Sequence, residues 1–85
     1  MNRDYNDPLY KKWRQNVRQR DKYCCQWPNC NSKKKIHVHH IMKWSNYPFL
    51  RYDINNGVCL CKKHHDMIKN NEDSYIPLFA SIVLN

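Results

Sequence analysis

The chain is short of glycine, of acid and of long apolar runs. Gly57 is its single glycine in 85 residues. No apolar run approaches the roughly 18 residues that a membrane-spanning helix needs, so no membrane segment is expected. Met1 to Arg20 is polar and basic and has no apolar h-region, which argues against a signal peptide. There are no internal repeats, and no low-complexity stretch beyond Lys33-Lys34-Lys35. With 41% hydrophobic and 26% charged residues, the chain is too apolar for a disordered tail and too polar for a membrane protein. Its length fits one domain, residues 1–85, with a core at about 20–70. A core this small usually needs a disulfide or a metal to hold it.

Acid is scarce: 7 Asp and Glu stand against 15 Lys and Arg, a net charge of +8. The imbalance is local. Residues 1–70 contain all 15 bases and five of the seven acids, a net of +10, whereas residues 71–85 contain Glu72 and Asp73 and no base. The basic part coincides with the Cys/His-rich part. A polyanionic partner suits that coincidence, and nucleic acid is the natural one. The blander reading is a soluble basic surface.

Cysteine occurs in odd number: Cys24, Cys25, Cys30, Cys59 and Cys61. Without a signal peptide, an odd count argues against a secreted disulfide framework. Five histidines accompany them, His37, His39 and His40, then His64 and His65. Cys and His interleaved at short spacing in a reducing compartment read as metal ligands.

Asp7-Pro8 reads as a helix N-cap followed by proline in the first turn. Tyr10, Trp13 and Val17 then mark one face of a helix. Lys11, Arg14 and Arg18 are expected opposite, either as a solvated face or as phosphate contacts. Cys25 to Cys30 is a tight loop, because its Pro28 and Asn29 favour turns. Ile36 to Ile41 reads as a strand, with Ile36 and Val38 facing one way and His37 and His39 the other. His37 is expected to be a plain exposed strand residue. Residues 42–57 form a long connection whose Trp44, Tyr47, Phe49 and Tyr52 are expected to be satellite core. Gly57 is expected to supply a positive φ before a second strand at Val58 to Leu60. A helix follows from Cys61 to about Asn70, with Lys62 at its head as a further candidate nucleic-acid contact. Ser74 to Leu84 reads as a capped apolar helix that covers the core, or else meets another copy. The fold class is α+β, with a ββα order of elements.

Cys25-x4-Cys30 and Cys61-x2-His64 form two chelating pairs. Zinc takes four such ligands in a tetrahedron, so one ion would tie the first loop to the last helix of the ββα unit. Cys24 could replace Cys25, and Cys59 could replace Cys61. The closer Cys-x2-His spacing favours Cys61 and leaves Cys59 as a small buried hydrophobe.

Arg20-Asp21-x-Tyr23-x-Cys25-Gln26, Val38-His39-His40-Ile41, and Asp53-x-x-Asn56-Gly57-Val58-x-Leu60-Cys61-x-x-His64-His65 together resemble the zinc-containing HNH endonucleases of phages and bacteria. The match spans roughly residues 9–70; its pieces are weak singly and specific in order. The resemblance implies a ββα-metal fold, a structural Zn²⁺, metal-dependent cleavage of DNA to 5′-phosphate and 3′-hydroxyl ends, and a cytoplasmic setting in a bacterium or phage-infected cell. It also allows a homodimer, or a partner protein in a phage packaging or restriction machine. His40 falls at the general base, His39 and His65 at catalytic-metal ligands, and Asn56 at the central Asn. The chemistry suits those roles: a histidine near its ordinary pKa can activate water, and a hard divalent ion neutralises the phosphate. Asn56 is expected to accept the second ring N–H of His40 and fix its tautomer. Mg²⁺ or Mn²⁺ is the expected catalytic ion, with Ni²⁺, Co²⁺ or Zn²⁺ permitted by imidazole. Two departures stand out. His64 replaces the usual Cys of the family, and Lys69 sits where some members add a ligand one turn after the last His. The rival reading is a zinc-finger nucleic-acid-binding module without activity, which has no need of His40, Asn56 and His65.

Overall fold

Asp7 starts the first helix as its side chain requires: its Oδ1 accepts the Leu9 N–H at 2.9 Å. The computed structural model describes residues 5–84, so the extreme ends of the expected 1–85 domain lie outside the described residues. Helix α1 spans Pro8–Arg20 and buries Tyr10, Trp13 and Val17, the stripe set by their spacing. It ends in a Schellman pattern, with Tyr23 N–H on the Arg18 carbonyl at 2.9 Å and Lys22 N–H on that of Gln19 at 3.1 Å. Lys22 and Tyr23 both take positive φ there, 56° and 59°, with no glycine at this turn to take it instead.

The two strands β1, Ile36–His40, and β2, Gly57–Cys61, form an antiparallel pair with Val38 opposite Cys59 and His40 opposite Gly57. Helix α2, Lys62–Met67, follows at once, with Cys61 as its N-cap. It stops short of the expected Asn70, which adopts a left-handed φ of 66°. The chain is thus a small α+β structure with a two-stranded antiparallel sheet between helices.

One face of the sheet packs on α1, where Cys59 joins Tyr10, Trp13 and Val17, with Ile36, Val38 and Trp44 against them. The other face carries Val58 and Leu60 into a second cluster with Cys25, Ile41, Ile68 and Phe79. Phe79 belongs to α3, Ile76–Val83, which is reached through a 3-10 turn at Glu72–Tyr75. The apolar tail therefore does cover core, although Tyr75 rather than Ser74 occupies the N-cap of α3.

Gly57 corrects the sequence reading. Its φ is −132°, ordinary extended backbone. What requires glycine is proximity: a Cβ there would lie 2.7 Å from Trp13 Cζ2 and 2.7 Å from Val17 Cγ2. The sheet can press this close to α1 only where β2 has no side chain. Arg20 and Asp21 secure the same junction. The Arg20 guanidinium grips both Asp21 oxygens at 2.9 Å and donates to the Ile54 and Gly57 carbonyls at 2.6 Å. Asp21 in turn accepts the buried N–H of Cys59 at 2.9 Å.

The connection between the strands contains 3-10 turns at Pro48–Leu50 and Ile54–Asn56. Its expected satellite core is realised in Trp44 alone. Tyr47 and Tyr52 are exposed, and Phe49 is 99% exposed at the tip of the first turn.

Candidate metal centre and active site

Cys25, Cys30, Cys61 and His64 converge so that their ligand atoms all lie within 4.8 Å of one another, and they could hold a metal ion. The first pair comes from a turn closed by Cys30 N–H on the Trp27 carbonyl at 2.9 Å, with Asn29 at φ 65°. The second pair straddles the start of α2. His64 Nδ1 stands 3.3 Å from Cys61 Sγ and 3.6 Å from Cys25 Sγ. A tetrahedral ion with sulfur at about 2.3 Å and nitrogen at about 2.0–2.1 Å would set these separations near 3.5 Å, so the donor set fits zinc. Trp27 stacks on His64 with centroids 4.9 Å apart and planes 7° apart, which fixes the ring.

The thiols of the cluster are shifted in opposite directions. Burial pushes Cys25 up to about 11. Burial would raise Cys61 as well, but the His64 N–H and the Cys25 and Cys30 thiols outweigh it and hold Cys61 below the ordinary thiol range. Burial, and then the Lys63 charge, keep His64 neutral, the form that ligates. The alternatives are placed elsewhere. Cys24 Sγ lies 3.3 Å from the Lys22 carbonyl, and Cys59 is buried under α1 with its thiol raised to about 12, chiefly by desolvation.

On the next residue of α2, His65 reaches a second cavity. This cavity, of about 340 Å³, is lined among others by His39, His40, Lys43, Trp44, His65 and Glu72. His39 and His65 meet edge to face with centroids 5.9 Å apart. His39 is only 9% exposed, rests against Phe79, and has an Nε2 with no hydrogen-bond partner. Burial, reinforced by His65 and His40, lowers its pKa to about 4, so the ring is a neutral donor of a lone pair at physiological pH. Burial likewise lowers His65, helped by His37 and Lys69.

His40 leaves the strand on the opposite face, as alternation requires. Its ring stacks on Trp13 at 3.8 Å and 12°, with Tyr10 and Trp44 around it. Its Nε2 is 2.9 Å from the Arg51 carbonyl. A carbonyl can only accept, so the neutral ring carries its proton on Nε2 and its lone pair on Nδ1. The partner expected for this nitrogen was Asn56, and here the reading is corrected. Asn56 is buried, donates to the carbonyls of Met42 at 3.1 Å and Leu50 at 3.0 Å, and accepts the Met42 N–H at 2.7 Å. It braces the loop that delivers Arg51, so its hold on His40 is indirect.

Arg14 and Arg18 do not stand opposite the buried stripe of α1 but flank it. They line one cavity with His37 and His65, and a neighbouring one with Lys11 and Tyr23. His37 is exposed, as expected, yet it stacks on His65 at 4.9 Å and 13°. A basic track therefore runs from α1 to the His65 side of the site. Lys62 is engaged by Asp66 across one helical turn. Sequence reasoning passed over Glu72, Lys43, Trp27 and Arg51. Only the presence of acids in a tail that has no base of its own could have hinted at Glu72.

Comparison of the chain with protein-family models, curated proteins and solved structures finds no match.

Proposed function

We propose that the protein is a metal-dependent endonuclease of the HNH type, with a zinc-stapled ββα-metal core, that hydrolyses phosphodiester bonds in DNA. One observation carries the reading: His39, His40 and His65, drawn from β1 and α2, line a single cavity next to the Cys/His cluster. A binding module needs the cluster and has no use for the second set. In this reading Cys25, Cys30, Cys61 and His64 hold structural Zn²⁺, and the ion fixes the start of α2 so that His65 faces His39.

His40 is the general base. Its lone pair on Nδ1 takes the proton of the attacking water, while the Arg51 carbonyl and the Trp13 face hold the ring through the transfer. A divalent ion held by His39 and His65, Mg²⁺ or Mn²⁺ by preference, would supply charge neutralisation at the scissile phosphate and at the leaving oxygen. Neutral imidazoles are the form required of both ligands, and burial keeps them so. Lys11, Arg14 and Arg18 bind phosphates along the track and set the path of the strand, and Asn56 acts on His40 through the loop. One such site cuts one strand, so double-strand cleavage requires two copies or two visits.

The test is nicking of supercoiled plasmid by the zinc-loaded protein with Mg²⁺, Mn²⁺, Ni²⁺ or EDTA, beside His40→Ala. Metal-dependent nicking that falls by about 10²–10⁴ in the variant is the expected result. DNA binding with no cleavage under any metal would replace this reading with a non-catalytic zinc-finger module.

A further inference from the structure

Two histidines are few ligands for a divalent ion on a chain of charge +8, and α2 has no third to give. One turn beyond His65 stands Lys69, whose ammonium pairs with Asp66 at 3.2 Å. Asp66 is taken from the other side by Lys62. The chain supplies a carboxylate to the cavity from elsewhere. Glu72, at the start of the 3-10 turn that leads into α3, lines the same wall-to-wall space as His39 and His65.

We infer that Glu72 is the third protein ligand of the divalent ion, completing a two-histidine, one-carboxylate site with His39 and His65. The inference rests on the nuclease reading for the ion's role, but the geometry that motivates it does not. The strongest element is the orphaned Nε2 of His39: a nine-tenths buried ring nitrogen facing no donor is a costly feature, worth about 1–3 kcal/mol if nothing ever meets it. The His39 ring itself lines the cavity that His65 and Glu72 share. The carboxylate also changes the chemistry of the site. Hard ions such as Mg²⁺ and Mn²⁺ prefer oxygen, and two neutral imidazoles leave their charge uncompensated. Two histidines and one carboxylate leave the remaining positions open to water and phosphate.

The charges facing Glu72 fit this role. Its own N–H and that of Asn70 hold the carboxyl below the ordinary range, with Lys43 adding to the effect. Lys43 lies 3.9 Å from Asp73, so the neighbouring acid shares that cation. The negative charge of Glu72 is felt at both His39 and His65, where it opposes the lowering by burial. Among the described residues only the Cys/His cluster has its ligand atoms already gathered, so the ion itself would have to draw the Glu72 carboxylate toward the two imidazoles, through the three rotatable bonds of the glutamate side chain.

The test is a titration of the zinc-loaded protein with Mn²⁺, read by the electron paramagnetic resonance of free Mn²⁺, which competes poorly for thiolates and leaves the zinc in place. The wild type should bind one Mn²⁺ beyond its zinc. Glu72→Gln should weaken that binding by at least about tenfold, with Glu72→Asp recovering part of it and zinc content and melting temperature unchanged. Lys69→Ala should bind as the wild type does. If Glu72→Gln binds Mn²⁺ as tightly as the wild type while His39→Gln loses it, Glu72 is not a ligand and the nuclease reading survives. If the wild type binds no Mn²⁺ beyond zinc, with or without a DNA oligonucleotide, the inference and the metal-dependent reading both fall.

Discussion

The imidazole of His40 lies parallel to the indole of Trp13, with ring centroids 3.8 Å apart and planes 12° apart. Trp13 is itself immobilised, since its Nε1 donates to the Asp53 carbonyl at 2.8 Å and its ring is buried under β2. The residue proposed as the base is thus oriented by the α1 stripe, not by a neighbour in sequence. Trp13→Phe keeps an apolar ring but loses that hydrogen bond and part of the stacking surface. It should destabilise the fold by about 1–3 kcal/mol. It should also slow plasmid nicking by about 10–100-fold with little change in DNA binding, because it disturbs the angle of His40 and leaves the basic track intact. Urea unfolding and single-turnover nicking would measure the two effects, and unchanged cleavage in a destabilised variant would show that the stack is structural only.

Gly57→Ala tests the contact between β2 and α1. The backbone at Gly57 is extended and accepts alanine, so any loss is steric. The new methyl would sit 2.7 Å from atoms of both Trp13 and Val17, which are buried and cannot swing away. We expect a loss of about 1–3 kcal/mol by denaturant unfolding. Val17→Ala should relieve part of it, so that the double variant is less damaged than the sum of the singles. Strict additivity would mean that the clash is absorbed elsewhere.

The sequence made α1, both strands and the Cys/His cluster legible, because each rests on local signals: a cap with proline, a 3.6-residue stripe, alternation, and ligand pairs at chelating spacing. It misread Gly57, since tolerance of positive φ and absence of a side chain leave the same letter in a sequence. The positive φ values fell instead on Lys22, Tyr23, Asn29, Lys35 and Asn70. It also misassigned the partner of His40. A backbone carbonyl such as that of Arg51 has no residue-type signature, and which carbonyl faces the ring depends on how the loop of residues 42–56 is folded by Asn56. Glu72 was hidden for a related reason, because a tertiary return of the chain brings the tail to the β1–α2 cavity.

Removal of the proposed zinc should unfold the chain. The cluster joins the loop of Cys25 and Cys30 to the start of α2, and the described core around it is small. Chelator-treated protein, verified metal-free by elemental analysis, should lose its cooperative melt and regain it when Zn²⁺ is added. Cys61→Ser and Cys25→Ser should release zinc, whereas Cys24→Ser and Cys59→Ser should retain it. Loss of zinc in Cys59→Ser with retention in Cys61→Ser would move the ligand by two residues.

Lys22→Gly should stabilise the protein. Lys22 is the left-handed residue that ends α1, at φ 56°, and its side chain is exposed, with no hydrogen bond or ion pair among the described residues that glycine would sacrifice. Glycine takes that conformation without the Cβ penalty, though it loosens the unfolded chain, and the net gain should be about 0.5–1 kcal/mol. Lys22→Ala, which keeps the Cβ, should show no gain. Equal stability of the two variants in urea would place the strain elsewhere in the turn.

Acid should weaken the fold through His39. The ring ordinarily titrates at 6.5 and is held at about 4 by burial, with the His65 and His40 charges adding to it. Above 6.5 the ring is neutral whether the chain is folded or not. Between 6.5 and 4 the unfolded chain binds a proton that the folded chain refuses, so stability falls as pH falls through this window and levels off below it. Between pH 7.5 and 5.5 the contribution should be on the order of 1 kcal/mol. Zinc ligands also respond to acid, so the measurement is the difference between wild type and His39→Gln in urea at both pH values, with zinc present and no other divalent ion. The acid loss should be smaller in the variant. Parallel loss in the two proteins would mean that His39 takes up its proton in the folded state without resistance, and its neutral, ligand-ready form would then need another cause than burial.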